Sequence, residues 1–197
     1  TQFRKLAWFD TRGVLGGVAF LVLLACGLVN LGFVLAFSNE VFGTKTYPVT
    51  HLMNDAMDGG YNFLLLIIVA FYAGELVWRE RSGRIDAVTD AFPLPDWIPL
   101  LSKLTAMTTV IAAFLVAGCV ECILYQLGRS YHHLELGLYL SHALLVALKF
   151  LLVAVLALFL QVIANNKFMG YLLVVIYIVV GVALHQLHFD HHLYNYG

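Results

Sequence analysis

Gly13-Val14-Leu15-Gly16-Gly17-Val18-Ala19-Phe20-Leu21-Val22-Leu23-Leu24-Ala25-Cys26-Gly27-Leu28-Val29-Asn30-Leu31-Gly32-Phe33-Val34-Leu35-Ala36-Phe37 runs from an arginine to a serine without one charged side chain. A hydrocarbon core about 30 Å thick is crossed by roughly 20 apolar residues in a helix, and this stretch exceeds that length. A helix of a soluble protein would carry polar residues on the face turned to water. The stretch therefore reads as a membrane span, and it sets the class of the chain because others follow it. Residues 59–78 form a second candidate, with Glu75 near its end, and residues 100–127 a third, preceded by Pro93 and Pro95. Residues 136–164 are too long for one perpendicular crossing, so 136–142 is expected along the interface and 143–164 across the membrane. Residues 168–187 complete the set.

Composition agrees with that reading. Of 197 residues, 61% are hydrophobic and 12% charged, whereas an ordinary soluble domain carries roughly 25% charged residues. A soluble fold of this size is mostly surface, and the polar residues to cover it are lacking. A net charge of −1 offers no basic face for a nucleic acid. The cysteines Cys26, Cys119 and Cys122 sit in apolar surroundings and define no disulfide framework. The start at Thr1 shows neither an initiator methionine nor a signal-cleavage pattern, so the chain is expected to be part of a longer one.

Basic residues set the expected orientation, since cytoplasmic loops are enriched in Lys and Arg. Arg4, Lys5 and Arg12 precede the first span. Arg79, Arg81 and Arg84 follow the second, with Lys103 just beyond, and Lys167 lies between the fourth and fifth. Alternating spans put these regions on one side. The other side receives Lys45 and Arg129. The N-terminus is thus expected in the cytoplasm and the C-terminus outside, with Trp8, Tyr61, Trp78, Trp97, Tyr194 and Tyr196 in interfacial belts.

The connection between the second and third spans is the informative one. Ile85, Val88 and Phe92 recur at helical spacing while Asp86 and Asp90 take the opposite side, and Pro93 and Pro95 end the helix. A short amphipathic helix, residues 79–92, is therefore expected at the cytoplasmic face. One reading rests it on lipid headgroups, held by arginines near anionic lipid. The other makes it a docking element that passes force from a cytoplasmic motor to the spans.

Here the residues carry a resemblance. Glu80-Arg81-Ser82-Gly83-Arg84-Ile85, Phe92-Pro93-Leu94-Pro95 and Leu101-Ser102-Lys103-Leu104 resemble the pattern around the coupling helix of type-2 ABC-exporter permeases. Phe71-Tyr72-Ala73-Gly74-Glu75-Leu76-Val77-Trp78-Arg79-Glu80-Arg81 looks like the signature of a bacterial subgroup in which such a permease is fused to a zinc aminopeptidase domain. Thr46-Tyr47-Pro48-Val49-Thr50, Asn166-Lys167-Phe168-Met169-Gly170 and His192-Leu193-Tyr194-Asn195-Tyr196-Gly197 are similar to it as well. The resemblance implies an all-α integral membrane permease with about five spans and a coupling helix. Its ATPase contact would be formed by Arg79, Glu80, Arg81, Arg84, Ile85, Val88 and Phe92. It also implies the bacterial inner membrane, a second permease half or a homodimer, and ATP and Mg²⁺ bound on a partner ABC ATPase rather than on this chain. The chain departs from the family in two ways. It shows five spans where type-2 halves have six, and it lacks the His-Glu-x-x-His motif of the fused peptidase; it also contains no P-loop that could bind ATP. This chain is therefore expected not to be an enzyme itself.

Ionisable residues at membrane depth are candidates for function because burying them is costly. Glu75 can pair with Arg79 or hold Lys103, as a clamp at the base of the coupling helix, or reach the interface. Glu121 and Lys149 lie at similar depth and can pair across neighbouring helices, or Lys149 can snorkel outward alone. Asn30 is expected to hydrogen-bond a neighbouring helix. Cys119-Val120-Glu121-Cys122 lies in an apolar helix, where cysteine behaves as a small hydrophobe. His132, His133 and Glu135, with His185, His188, Asp190, His191 and His192, match no zinc spacing and read as interfacial. Two functions follow from different classes. One is a permease subunit of an ABC exporter; the other is a membrane anchor or scaffold for a fused or associated zinc aminopeptidase.

Overall fold

The computed structural model describes residues 2–37, 40–41, 44–45, 47–82, 95 and 97–186. They form α1 (Gln2–Leu15), α2 (Val18–Phe37), β1 (Glu40–Val41), β2 (Thr44–Lys45), α3 (Thr50–Ser82), α4 (Trp97–Gly128), α5 (Leu136–Ile163) and α6 (Lys167–Gln186). The strands are a two-residue antiparallel ladder, Glu40 opposite Lys45 and Val41 opposite Thr44. The other elements among the described residues are helices.

Among the described residues, four helices are long and apolar enough to cross a membrane: Val18–Phe37, Thr50–Arg79, Trp97–Gly128 and Leu136–Ile163. α6 carries a shorter described apolar run, Lys167–Gly181. The exposed side chains agree with lipid contact. Phe33, Leu144, Leu145, Phe159 and Phe168 are all more than half exposed, the reverse of a soluble surface, where contiguous apolar patches of this kind are rare.

The helices depart from the expected spans in three places, each for a local reason. Residues 13–37 are not one helix. Gly16 and Gly17 interrupt it, with the Gly16 N–H donating to Arg12 O at 2.9 Å and the Phe20 N–H to Gly17 O at 3.1 Å. Each glycine costs about 1 kcal/mol of helix stability against alanine, and the pair is where the rod breaks. α3 begins at Thr50 rather than at 59, two residues after Pro48. Gly59-Gly60 does not interrupt it, because Gly60 is used for close packing: a Cβ there would stand 3.4 Å from the Leu31 Cα. α5 is one continuous helix of 28 residues, so 136–142 does not turn along the interface. No Gly or Pro breaks it after Gly137, and at 1.5 Å per residue it is long enough to cross a hydrocarbon core at a tilt.

Contacts fix the register of the bundle. α1 and α2 run alongside α4 in the same direction: Asp10 meets Ser102, the Phe20 and Phe114 rings stand 5.7 Å apart edge to face, and Gly32 faces Glu121. α3 runs opposite to both. Asn30 Nδ2 donates to Gly60 O at 2.6 Å, as expected for that residue, and Gln126 Nε2 donates to Pro48 O at 2.8 Å. α5 joins through Tyr139, whose hydroxyl donates to Gln126 Oε1 at 2.9 Å. The core is apolar where these helices cross: Leu31, Leu65, Ile68, Ala73, Met107 and Phe114 are fully buried.

Candidate functional site

One end of the bundle gathers the polar contacts, and Asp10 is its centre. α1 buries one face, Ala7, Asp10 and Val14, at the three- and four-residue steps of a helix stripe. The stripe carries a carboxylate into the protein, leaving Asp10 1% exposed. A buried charge is tolerated only when paired and hydrogen-bonded, and here both oxygens are met. Arg79 Nη2 of α3 donates to Oδ1 and the Ser102 hydroxyl of α4 donates to Oδ2. The Arg79 guanidinium also lies over the Phe9 ring, 5.1 Å from its centroid. Gly13 leaves room for it, since a Cβ at that position would collide with Arg79 Nη1. One side chain of α1 thus ties the last turns of α3 to the first turns of α4. Lys103, next to Ser102, is buried as well.

Further bonds at the same end bring in α5 and α6. Lys167 Nζ donates to Glu75 Oε2 at 2.9 Å, and Trp78 Nε1 donates to Gln161 Oε1 at 3.0 Å. Gly170 lets Gln161 approach, and Gly74 lets the Tyr171 ring approach. The Glu75 and Lys167 side chains are 41% and 36% exposed, so that ion pair is worth about 0.2–1 kcal/mol. The Asp10 cluster, far better shielded, is the stronger tie.

The expected site residues fall as follows. Arg79 is at the base of the α3–α4 connection, but its acid is Asp10. Glu75 takes Lys167 instead of Arg79, because the guanidinium is already committed to α1. Glu80 and Arg81 lie in the last turn of α3. Arg84, Ile85, Val88 and Phe92, with most of the expected coupling helix, lie outside the described residues.

Glu121 and Lys149 are not brought together. Lys149 is exposed with its ammonium 5.9 Å from the Phe150 ring centroid, while Glu121 turns toward Gly32 of α2. Its Oε2 has no hydrogen-bond partner among the described residues. Cys122 Sγ approaches Met53 O at 3.8 Å, a packing contact inside the bundle. Among the described residues no group of three or more His, Cys, Asp or Glu side chains could hold a metal ion.

Sequence reasoning missed Asp10, Ser102, Gln126 and Gln161. A signal existed for the first: Asp10 is the only acidic residue before Glu40, and it shares a helical stripe with Ala7 and Val14. The glutamines were legible as lone amides in long apolar helices, which seek partners on neighbouring helices. Compared with protein-family models, characterised proteins and solved structures, the chain matches none.

Proposed function

We propose that this chain is a membrane-spanning permease part of an ABC transporter, an exporter, that couples ATP hydrolysis by a separate ATPase to substrate movement. The single observation that supports it is the Asp10 clamp. The segment that resembles a coupling helix connects α3 to α4, and both of its flanks, at Arg79 and Ser102, are bonded to one buried carboxylate. A helix that receives force from a motor must be tied rigidly to the spans it moves, and a charge-assisted bond on each flank supplies that rigidity. A helix resting on lipid needs no such tie. In this reading α6 is the fifth span, the Asp10 end is cytoplasmic, and a second permease half or a second copy completes the pathway.

The test is pull-down of the cytoplasmic ATPase with the full-length protein, wild type and Val88→Asp. An aspartate on the apolar face of a docked helix places an unpaired charge in a buried contact, at a cost of several kcal/mol. ATPase association is expected to be lost while membrane insertion is kept. Failure of any ATPase to co-purify with the wild-type protein would overturn the transporter reading and leave the aminopeptidase anchor in its place.

A further inference from the structure

At the end of the bundle opposite Asp10, four side-chain oxygens are shielded from solvent and have no hydrogen-bond partner among the described residues: Thr50 Oγ1, Asn54 Oδ1, Tyr61 OH and Glu121 Oε2. Thr50, Asn54 and Tyr61 are 1%, 4% and 1% exposed and lie on one face of α3, at steps of four and seven residues. Glu121 is on α4, which runs antiparallel to α3. The Cys122 contact with Met53 O sets Glu121 level with Asn54. Gly118, one turn before Glu121, stands against the Tyr61 ring: a Cβ there would be 3.3 Å from Tyr61 Cζ. Gly32 of α2 closes the third side, where a Cβ would be 3.2 Å from Glu121 Oε1. Helix side chains lean toward their own N-terminus, so on antiparallel helices Tyr61 leans toward Glu121 and Glu121 toward Tyr61.

We propose that Glu121 and Tyr61 form the centre of a binding site for a small monovalent cation, a proton or an alkali ion, reached from that end past Thr50 and Asn54. An ionised carboxylate at membrane depth is costly without a counter-charge, and Lys149, the nearest candidate on α5, faces outward. Two of the unpartnered oxygens, the Glu121 carboxylate and the Tyr61 phenol, come from the facing sides of α4 and α3, and the Asn54 amide and Thr50 hydroxyl continue along α3 toward the end of the bundle. An oxygen set with one negative charge suits a hard cation, and a proton satisfies the same carboxylate by making it neutral. Tyr61 on α3 interacts electrostatically with Glu121 and with Cys119 and Cys122 of α4; Tyr125 lies one turn further along α4, and α2 presents glycine at this level. Asp58 of α3 is turned to His142 of α5, at 3.3 Å. The site does not depend on the transporter reading.

The experiment measures the thermal unfolding midpoint of the purified full-length protein, wild type, Glu121→Gln and Tyr61→Phe. Sodium or potassium chloride replaces the salt of a bulky organic cation at constant ionic strength, and a second series runs from mildly alkaline to mildly acidic pH. The wild-type midpoint is expected to rise by several degrees with saturation in one series, and Glu121→Gln is expected to lose that rise. A rise with sodium or potassium at fixed pH identifies an alkali ion; a rise on acidification alone identifies a proton. Tyr61→Phe keeps the packing and removes one oxygen, so its half-saturating concentration should increase about five- to tenfold, the equivalent of one hydrogen bond. It also serves if Glu121→Gln fails to fold. Equal responses of wild type and Glu121→Gln, or a wild type that responds to neither series, would overturn the proposal.

Discussion

Removing the Asp10 carboxylate is the most direct perturbation of the fold's polar end. Asp10→Ala leaves the Arg79 guanidinium and the Ser102 hydroxyl without their acceptor. Hydrogen bonds to a charged group are worth about 1.5–3 kcal/mol each, and breaking a buried ion pair from one side costs about 3–5 kcal/mol. Asp10 is 1% exposed but the Arg79 side chain is 29% exposed, so water recovers part of the loss on the arginine side. The expected destabilisation is therefore about 2–4 kcal/mol, near the middle of those ranges. Asp10→Asn keeps an acceptor for Ser102 and loses only the charge, so it should cost roughly half as much. Reversible unfolding of the purified protein in mixed detergent micelles, followed by tryptophan fluorescence, reads these values. A double-mutant cycle with Asp10→Asn and Arg79→Gln isolates the pair, with an expected coupling of about 1–2 kcal/mol. Single substitutions that simply add would show that Asp10 and Arg79 do not act together, and the clamp would lose its basis.

Two further outcomes are expected. Gln126→Leu strands the Pro48 carbonyl and the Tyr139 hydroxyl together, and unfolding measurements should show a loss of about 1–3 kcal/mol for the unsatisfied groups. Cysteine-accessibility labelling should find Arg84→Cys reactive only from the cytoplasm and Gly128→Cys only from outside; reaction of both from one side would sink the alternating arrangement.

The membrane class was legible because it rests on lengths of apolar sequence, which leave little freedom of interpretation. Positions of helix ends were less so. Gly16-Gly17 breaks its helix and Gly59-Gly60 does not, although the two dipeptides look alike in sequence; what separates them is that Leu31 packs on Gly60, a tertiary fact. The polar end was half legible. Arg79, Lys103 and Lys167 were expected to share one side from charge alone, and the bonds from Arg79 and Ser102 to Asp10 and from Lys167 to Glu75 do bring those helix ends together. Their partners were less legible: Asp10 stands out as the only acid before Glu40, but spacing alone does not choose it over the other acids that could satisfy an arginine. Asp10 wins because α1 lies beside α4 in the same direction, an arrangement no spacing rule predicts.

That parallel arrangement bears on how motion would pass through the bundle. α1, α2 and α4 keep one register over two distant contacts, Asp10 with Ser102 at one end and Gly32 with Glu121 toward the other. A push on the α3–α4 connection would then be taken up by two rods rather than one, because Asp10 hands part of the load from α4 to α1. The break at Gly16-Gly17 lies between the clamp and the apolar part of α2, so α1 is not a rigid extension of α2. Close packing at Gly60 and Gly118 makes the seam toward the opposite end stiff, since neighbouring atoms leave no slack there. Movement entering at the clamp is therefore expected to bend the α1–α2 junction before it shifts the seam that holds Glu121 and Tyr61. The clamp and the cation site would then be separable: loss of the Asp10 bonds should loosen the polar end while the cation response of the far end persists.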